Sequence, residues 1–343
     1  MNDVIINELK RSADAITGIS PEQIRAAADT MIATLRNGGQ VIFMGNGGSS
    51  ADAQHIAAEL SGRYMMERPG MAGVCLSNIA PVTAIGNDYG YDLVFKRQID
   101  AICRKGDAVV GFSTSGKSKN VILALEAAKE KGASTISFTG PGGTIKDIVD
   151  AAVIVNTTET PRIQEGYLVA CHAICGMIER EMYGHKAVFL DRDDTIAPDV
   201  PYCSDPADFN VFEYVPKQIS RLNKAGYMVI IITNQSGIGR GYLDESTLEK
   251  IHEKMKAQVA TGGGRIDDIF YCPHMPEDGC NCRKPEVGMG IDAIRKHHIN
   301  TAESYMVGDK EIDAEFGRRI GCRTILVDDK FTLKDAVDEI LGS

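Results

Sequence analysis

Val41-Ile42-Phe43-Met44-Gly45-Asn46-Gly47-Gly48-Ser49-Ser50 is an apolar run that empties into a glycine- and serine-rich turn. A buried strand ending this way and continuing into a helix offers backbone N–H groups and a helix N-terminus to an anion. Upstream, Ser20-Pro21-Glu22-Gln23 combines an N-cap serine, proline at the first helical position and a Gln able to reach back to the cap, and Gly38-Gly39 stops that helix. Downstream, β-rich runs at 108–112, 135–138 and 152–155 alternate with helical stretches such as 120–131. The rhythm restarts at 187–190 and continues through 228–232, 305–307 and 324–327. Alternation of this kind predicts α/β architecture with two doubly wound parallel-sheet domains, residues 1–184 and 186–343.

The length of 343 residues suits two domains. With 37 basic and 47 acidic residues the net charge is −10, which argues against nucleic acid or an anionic membrane as the main partner. No apolar run approaches the roughly 18 residues of a membrane span, and residues 1–10 do not read as a signal peptide, so a cytoplasmic protein is expected. Nine cysteines, three of them between Cys272 and Cys282, fit a reducing compartment with a metal site better than a disulfide scaffold. The 35 glycines, about one residue in ten, point to loops where backbone approaches a ligand.

Two such loops follow strands in the first half. Gly45–Ser50 has Ser50 where a dinucleotide fingerprint needs its third glycine. Gly111-Phe112-Ser113-Thr114-Ser115-Gly116-Lys117-Ser118 fits the Walker A string, but the next strands run into Thr139-Gly140 and Asn156-Thr157 rather than a magnesium-binding Asp. The physics common to both readings is a phosphate cradle of hydroxyls, backbone N–H groups and a helix N-terminus. A P-loop nucleotide switch stays as the alternative from another class. His55 and Glu59, four apart, share a helix face, and so do Gln164 and His172, eight apart.

With these motifs, and with Gly86-Asn87-Asp88-Tyr89-Gly90, residues 1–184 resemble sedoheptulose 7-phosphate isomerase, of the sugar isomerase (SIS) fold. The resemblance implies a zinc ion held by His55, Glu59, Gln164 and His172, and a sugar phosphate held by Asn46, Gly47, Gly48, Asn87, Asp88, Ser113, Thr114, Ser115 and Ser118, with Gln164 also at the substrate. It implies a homotetramer with sites at subunit interfaces. Aldose–ketose isomerisation needs one group for the carbon-bound proton and another for the oxygens, and Glu59 and His172 are the candidates. A non-catalytic SIS binding module is the rival for this half, since one SIS relative serves as a partner of a replication initiator.

In the second half, Val188-Phe189-Leu190 ends on Asp191-Arg192-Asp193, two carboxylates at the mouth of a buried strand. Thr233-Asn234-Gln235-Ser236, Arg283-Lys284-Pro285 and Gly308-Asp309-Lys310 with Asp313 follow in order. This order of motifs resembles the haloacid dehalogenase pattern of phosphoryl chemistry. Through Leu190–Asp193, Thr233–Gly241, Tyr271–His274, Cys282–Pro285 and Met306–Lys310 the segment resembles D-glycero-D-manno-heptose 1,7-bisphosphate 7-phosphatase. The resemblance implies Asp191 as nucleophile, Asp193 as general acid then base, and Thr233 and Lys284 on the phosphoryl oxygens. It implies magnesium at Asp191, the Asp193 carbonyl and Asp309, and substrate contacts at Asp199–Tyr202, Thr233, Asn234, Gln235, Ser236, Arg283, Lys284 and Lys310. Asp194 stands where the family usually has Gly, and Ala197 where it usually has Asn. Cys272-x-His274 with Cys280-x-Cys282 supplies three thiolates and an imidazole with no open position, a structural zinc set placed just before Lys284.

The expected protein is a bifunctional isomerase and phosphatase of heptose biosynthesis, feeding lipopolysaccharide, capsule or another surface glycan. A separate kinase is expected as its pathway partner, to phosphorylate C1 between the two steps. Histidinol-phosphate phosphatase is the alternative for the second half.

Overall fold

A computed structural model describes residues 2–342. The chain divides into two compact units between Met182 and Tyr183. The first unit runs α1 (Asn2–Thr17), α2 (Pro21–Arg36), β1 (Val41–Gly45), α3 (Gly48–Ser61), β2 (Gly73–Cys75), α4 (Ile79–Tyr89), α5 (Lys96–Ile102), β3 (Ala108–Ser113), α6 (Lys119–Glu130), β4 (Ser134–Thr139), α7 (Ile145–Ile148), β5 (Ala151–Ile154) and α8 (Thr160–Tyr183). Its sheet is parallel throughout, in the order β2-β1-β3-β4-β5. The order reverses at β1, so the loops after β1 and β3 flank the crevice where such sheets bind ligands.

The second unit runs β6 (Ala187–Leu190), α9 (Val215–Lys224), β7 (Met228–Asn234), α10 (Glu245–Thr261), β8 (Asp268–Cys272), α11 (Gly288–His297), β9 (Tyr305–Gly308), α12 (Glu311–Arg319), β10 (Arg323–Leu326) and α13 (Leu333–Gly342). Its parallel order is β10-β9-β6-β7-β8, with the reversal at β6. Leu190 pairs with Val307, which brings the ends of β6 and β9, and therefore Asp191 and Asp309, side by side. The pleat divides the core: Val188 and Leu190 pack with Val229 and Ile231 on one face, while Ala187 and Phe189 pack with Ile230 and Ile232 on the other.

The two doubly wound sheets are those expected. Two edge strands, β2 and β8, carry no strong sequence signal, because β2 is three residues long and both are only partly buried. Ser20 caps α2 by accepting the Gln23 N–H at 3.2 Å, but the Gln23 side chain does not return to the cap. Its Oε1 accepts the Ile154 N–H at 3.0 Å instead and ties α2 to β5. Among the described residues no helix is long and apolar enough to cross a membrane.

Candidate active sites

In the first unit, α3 starts directly after the β1 turn and aims His55 and Glu59 at α8. His55 Nε2 lies 3.0 Å from Glu59 Oε1, and His172 Nε2 lies 3.5 Å from His55 Nε2. Ligand atoms of all three fall within 4.8 Å of one another. Burial, and then the neighbouring His55, hold the His172 imidazole below its ordinary pKa. Two imidazole nitrogens converging with a carboxylate are a donor set that suits zinc. Gln164 Nε2, also on α8, donates to Asp52 Oδ2 at 3.3 Å and lies so close to Gly48 that a Cβ there would come within 2.4 Å of it. A side chain at position 48 would have to displace the Gln164 amide.

The cradle is built at the ends of β1 and β3. Asn46 and Asn120 exchange two side-chain hydrogen bonds, each 2.9 Å, and Tyr91 Oη donates to Asn46 Oδ1 at 3.0 Å. Ser113 and Ser118 hydroxyls are 2.9 Å apart, and Ser115 Oγ accepts the Lys117 N–H at 3.2 Å. Gly116 has φ +65°, and a Cβ there would fall 2.2 Å from the Gly142 carbonyl oxygen, so the Thr114–Ser115 stretch is pinned to the following turn. Asn87 and Asp88 lie exposed on α4, with Asn87 Nδ2 donating to Asp88 Oδ1 at 2.9 Å. No hydrogen bond among the described residues joins them to the cradle. Asn120 and Tyr91 were not singled out from sequence. Asn120 is buried at the start of the helix leaving the cradle, which only the structure shows.

In the second unit a cavity of about 370 Å³ is walled by Asp191–Asp193, Asp199–Cys203, Thr233–Gly237, Arg283, Lys284, Lys310, Ile312 and Asp313. Lys284 Nζ is 2.6 Å from Asp191 Oδ1, 2.6 Å from Asp313 Oδ1 and donates to the Ile232 carbonyl at 2.7 Å. Burial alone would lower the Lys284 ammonium, but Asp191 and Asp313 outweigh it and its pKa stands raised. Asp193 lies in the fork of Arg192, Nε to Oδ1 at 2.9 Å and Nη2 to Oδ2 at 3.0 Å, and also accepts from Gln235 Nε2 at 3.1 Å. Burial raises its pKa against the pull of Arg192, as suits a proton donor. Gln235 Nε2 also donates to Thr233 Oγ1 at 2.8 Å, and Lys310 Nζ meets Asp309 Oδ2 at 3.0 Å.

Asp191, Asp309 and Asp313 place carboxylate oxygens within 4.8 Å of one another. Asp309 Oδ1 is buried and has no hydrogen-bond partner among the described residues. An all-oxygen donor set with an orphaned buried oxygen fits magnesium. Asp313 belongs to the Gly308–Asp313 motif read from sequence, which does not assign it to the metal; the structure places it beside Asp191 and Asp309. Asp194 adopts φ +55°, a conformation open to glycine and tolerated by Asp, and its Oδ1 accepts the Asp199 N–H at 2.9 Å. The departure from glycine thus carries its own brace for the loop leading to Tyr202.

Cys272, His274, Cys280 and Cys282 cluster with Sγ–Sγ separations of 3.3–3.6 Å and Sγ–Nδ1 separations of 3.2 and 3.6 Å. A tetrahedral zinc with thiolate bonds near 2.3 Å needs ligand edges of roughly 3.4–3.8 Å, so the set fits. Asn234 Nδ2 donates to the Lys284 carbonyl at 3.2 Å, and the Lys284 N–H returns to Asn234 Oδ1 at 3.0 Å, which fastens the cluster's exit to the end of β7.

The family model for the SIS domain matches residues 6–140, and a HAD-hydrolase-like model matches 281–340. Phosphoheptose isomerase from Geobacter metallireducens is 45% identical over 188 residues, 53% of this chain and 100% of the relative. The Rhodospirillum rubrum phosphoheptose isomerase is 50% identical over 158 residues, 46% of this chain and 84% of the relative. A solved D,D-heptose 1,7-bisphosphate phosphatase from B. bronchiseptica, complexed with magnesium and phosphate, is 32% identical with a TM-score of 0.43, covering 46% of this chain and 98% of that one.

Proposed function

We propose, since the chain belongs to the phosphoheptose isomerase family through its N-terminal half, that it is a bifunctional heptose enzyme. The first unit interconverts sedoheptulose 7-phosphate and D-glycero-D-manno-heptose 7-phosphate, and the second removes the C7 phosphate of the 1,7-bisphosphate. The observation that carries the reading is the presence of two separate acid–base sets on one chain: His55, Glu59 and His172 together in the first unit, and Asp191, paired with Lys284, lining one cavity with Asp193 in the second.

In the isomerase site the cradle at Asn46–Gly48 and Ser113–Ser118 holds the phosphate. Glu59 takes the proton from the carbon beside the carbonyl and returns it to the neighbouring carbon, while His172 moves the proton between the two oxygens. Zinc bound by His55, Glu59 and His172, with Gln164 as fourth ligand, would polarise the carbonyl.

In the phosphatase site Asp191 attacks phosphorus as the bond to the sugar oxygen breaks, and Asp193 protonates that oxygen. Asp193 then takes a proton from the water that cleaves the aspartyl-phosphate, releasing inorganic phosphate and restoring Asp191. Lys284 and Thr233 hold the phosphoryl oxygens, and Asp199, Tyr202, Asn234, Ser236, Arg283 and Lys310 line the space for the sugar. Magnesium held by Asp191, Asp309, Asp313 and the Asp193 carbonyl would neutralise phosphoryl charge. The motif resemblance and the fused isomerase favour a heptose over histidinol phosphate as the substrate.

The two steps are not consecutive, so a separate kinase supplies the C1 phosphate. A homotetramer assembled through the first unit, a cytoplasmic setting favoured by the three-thiolate cluster, and a product destined for lipopolysaccharide or another surface glycan complete the reading. Incubating the purified protein with sedoheptulose 7-phosphate tests it. Phosphate release that requires an added heptose kinase and ATP supports both halves, and the absence of any heptose 7-phosphate refutes the first.

A further inference from the structure

The segment between α3 and β2 has no regular structure over residues 63–70, yet its backbone is fixed by one ion pair buried beneath it. Arg68 and Glu179 have side chains only 1% exposed and meet at 3.0 Å. Glu179 Oε1 accepts the Tyr64 N–H at 2.9 Å, and Oε2 accepts those of Met65 and Met66 at 2.9 and 3.0 Å. Arg68 spends its remaining donors on the end of α3. Nη1 reaches the Leu60 and Gly62 carbonyls at 2.8 and 2.9 Å, and Nη2 reaches the carbonyl of Glu59 at 2.8 Å.

Glu179 lies seven residues after His172 on α8, with Gly176 between them, so the three share one helix face. The Tyr64 ring lies over that face. It stacks on the His172 imidazole with centroids 5.3 Å apart and planes 16° apart, and a Cβ at Gly176 would sit 3.6 Å from the ring. A buried ion pair contributes little net stability relative to well-packed apolar residues, so its consequence here is the geometry it fixes.

We infer that Arg68 and Glu179 are positioning residues of the isomerase: one ion pair sets the Glu59 backbone and, through Tyr64, the plane of the His172 ring. The inference rests on the isomerase reading above. The phosphate cradle is built at the ends of β1 and β3, and neither Arg68 nor Glu179 hydrogen-bonds to it.

The test compares Glu179→Gln and Tyr64→Leu with the wild-type full chain, in steady-state isomerisation of sedoheptulose 7-phosphate and in zinc affinity by chelator competition. Turnover is normalised to folded protein measured by circular dichroism. The expected result is kcat lowered on the order of 10²-fold in Glu179→Gln with KM within about twofold of wild type. Zinc binding weakens roughly 10- to 100-fold in the same variant. Tyr64→Leu leaves the ion pair intact and lowers kcat at unchanged KM, and it decides the matter should Glu179→Gln fail to fold. Wild-type kcat per folded chain in the folded variants overturns the inference, as does a loss expressed in KM alone. A wild-type chain that does not isomerise the sugar refutes the functional reading instead.

Discussion

The ammonium of Lys284 lies 2.6 Å from Asp191 Oδ1, inside the second unit and 3% exposed. The same nitrogen lies 2.6 Å from Asp313 Oδ1, so one cation neutralises two carboxylates of the proposed magnesium set. Removing it as Lys284→Met leaves both without their buried cation, and although Asp313 Oδ2 still accepts the Lys310 N–H at 3.1 Å, breaking a buried pair typically costs about 3–5 kcal/mol. Turnover of the heptose bisphosphate should fall on the order of 10²- to 10³-fold through loss of a phosphoryl-oxygen donor. Added magnesium should raise the melting temperature of Lys284→Met more than that of the wild type, while phosphate release stays low. Equal magnesium responses in the two proteins would count against this account of the site.

The same lysine follows directly on the candidate metal cluster and is held by an amide. Cys282 is a member of the four-residue cluster and is followed at once by Arg283 and Lys284, whose backbone is clasped by Asn234. Cys282→Ser should therefore release the lysine loop. Zinc bound per chain should drop by one equivalent, and phosphatase kcat should fall about 10-fold or more. Isomerase activity of the same sample should be unchanged. A loss of both activities in parallel would show that the cluster does not act through Lys284.

The two activities should separate cleanly by substitution. Glu59→Gln removes the carboxylate that meets His55 at 3.0 Å, and isomerisation should fall about 10²- to 10⁴-fold. Asp191→Asn removes the proposed nucleophile and should abolish phosphate release with isomerisation intact. An equimolar mixture of the two variants, supplied with sedoheptulose 7-phosphate, kinase and ATP, should regain phosphate release. Failure of the mixture alone would show that both activities must reside on one chain.

The strands that build the binding crevices were legible in sequence because they are buried on both faces and read as apolar runs, as Val41–Gly45 and Ala187–Leu190 do. The short edge strands Gly73–Cys75 and Asp268–Cys272 were not, since a half-buried edge imposes little pattern. Pairs that follow from local spacing, such as His55 with Glu59, are legible in sequence, and the structure brings these two side chains to 3.0 Å. Residues whose role comes from distant pairing were missed. Arg68 and Glu179 are 111 positions apart and meet only after α8 docks on α3. Asn120 joins Asn46 across 74 positions. A single sequence carries no signal for either pairing.

His252 gives the second unit a defined acid sensitivity. It is 6% exposed on α10, its Nε2 has no hydrogen-bond partner among the described residues, and burial, followed by the charges of Arg192 and Lys256, lowers its pKa to about 3. In the unfolded chain the imidazole titrates near 6.5. The stability that follows from keeping it neutral is therefore present above about pH 6.5 and is lost as pH falls toward about 3, because only the unfolded chain takes up the proton. The slope is at most ~1.4 kcal/mol per pH unit. Asp193, Asp309 and Asp313, whose pKa values are raised, act with the opposite sign, so the comparison must be a difference between two proteins. His252→Leu fills a similar volume and removes the titration. Unfolding free energies by urea titration from about pH 7 to about pH 4 should show the His252→Leu variant gaining on the wild type as pH falls below about 6. Parallel curves over that range would mean that His252 is protonated in the folded protein.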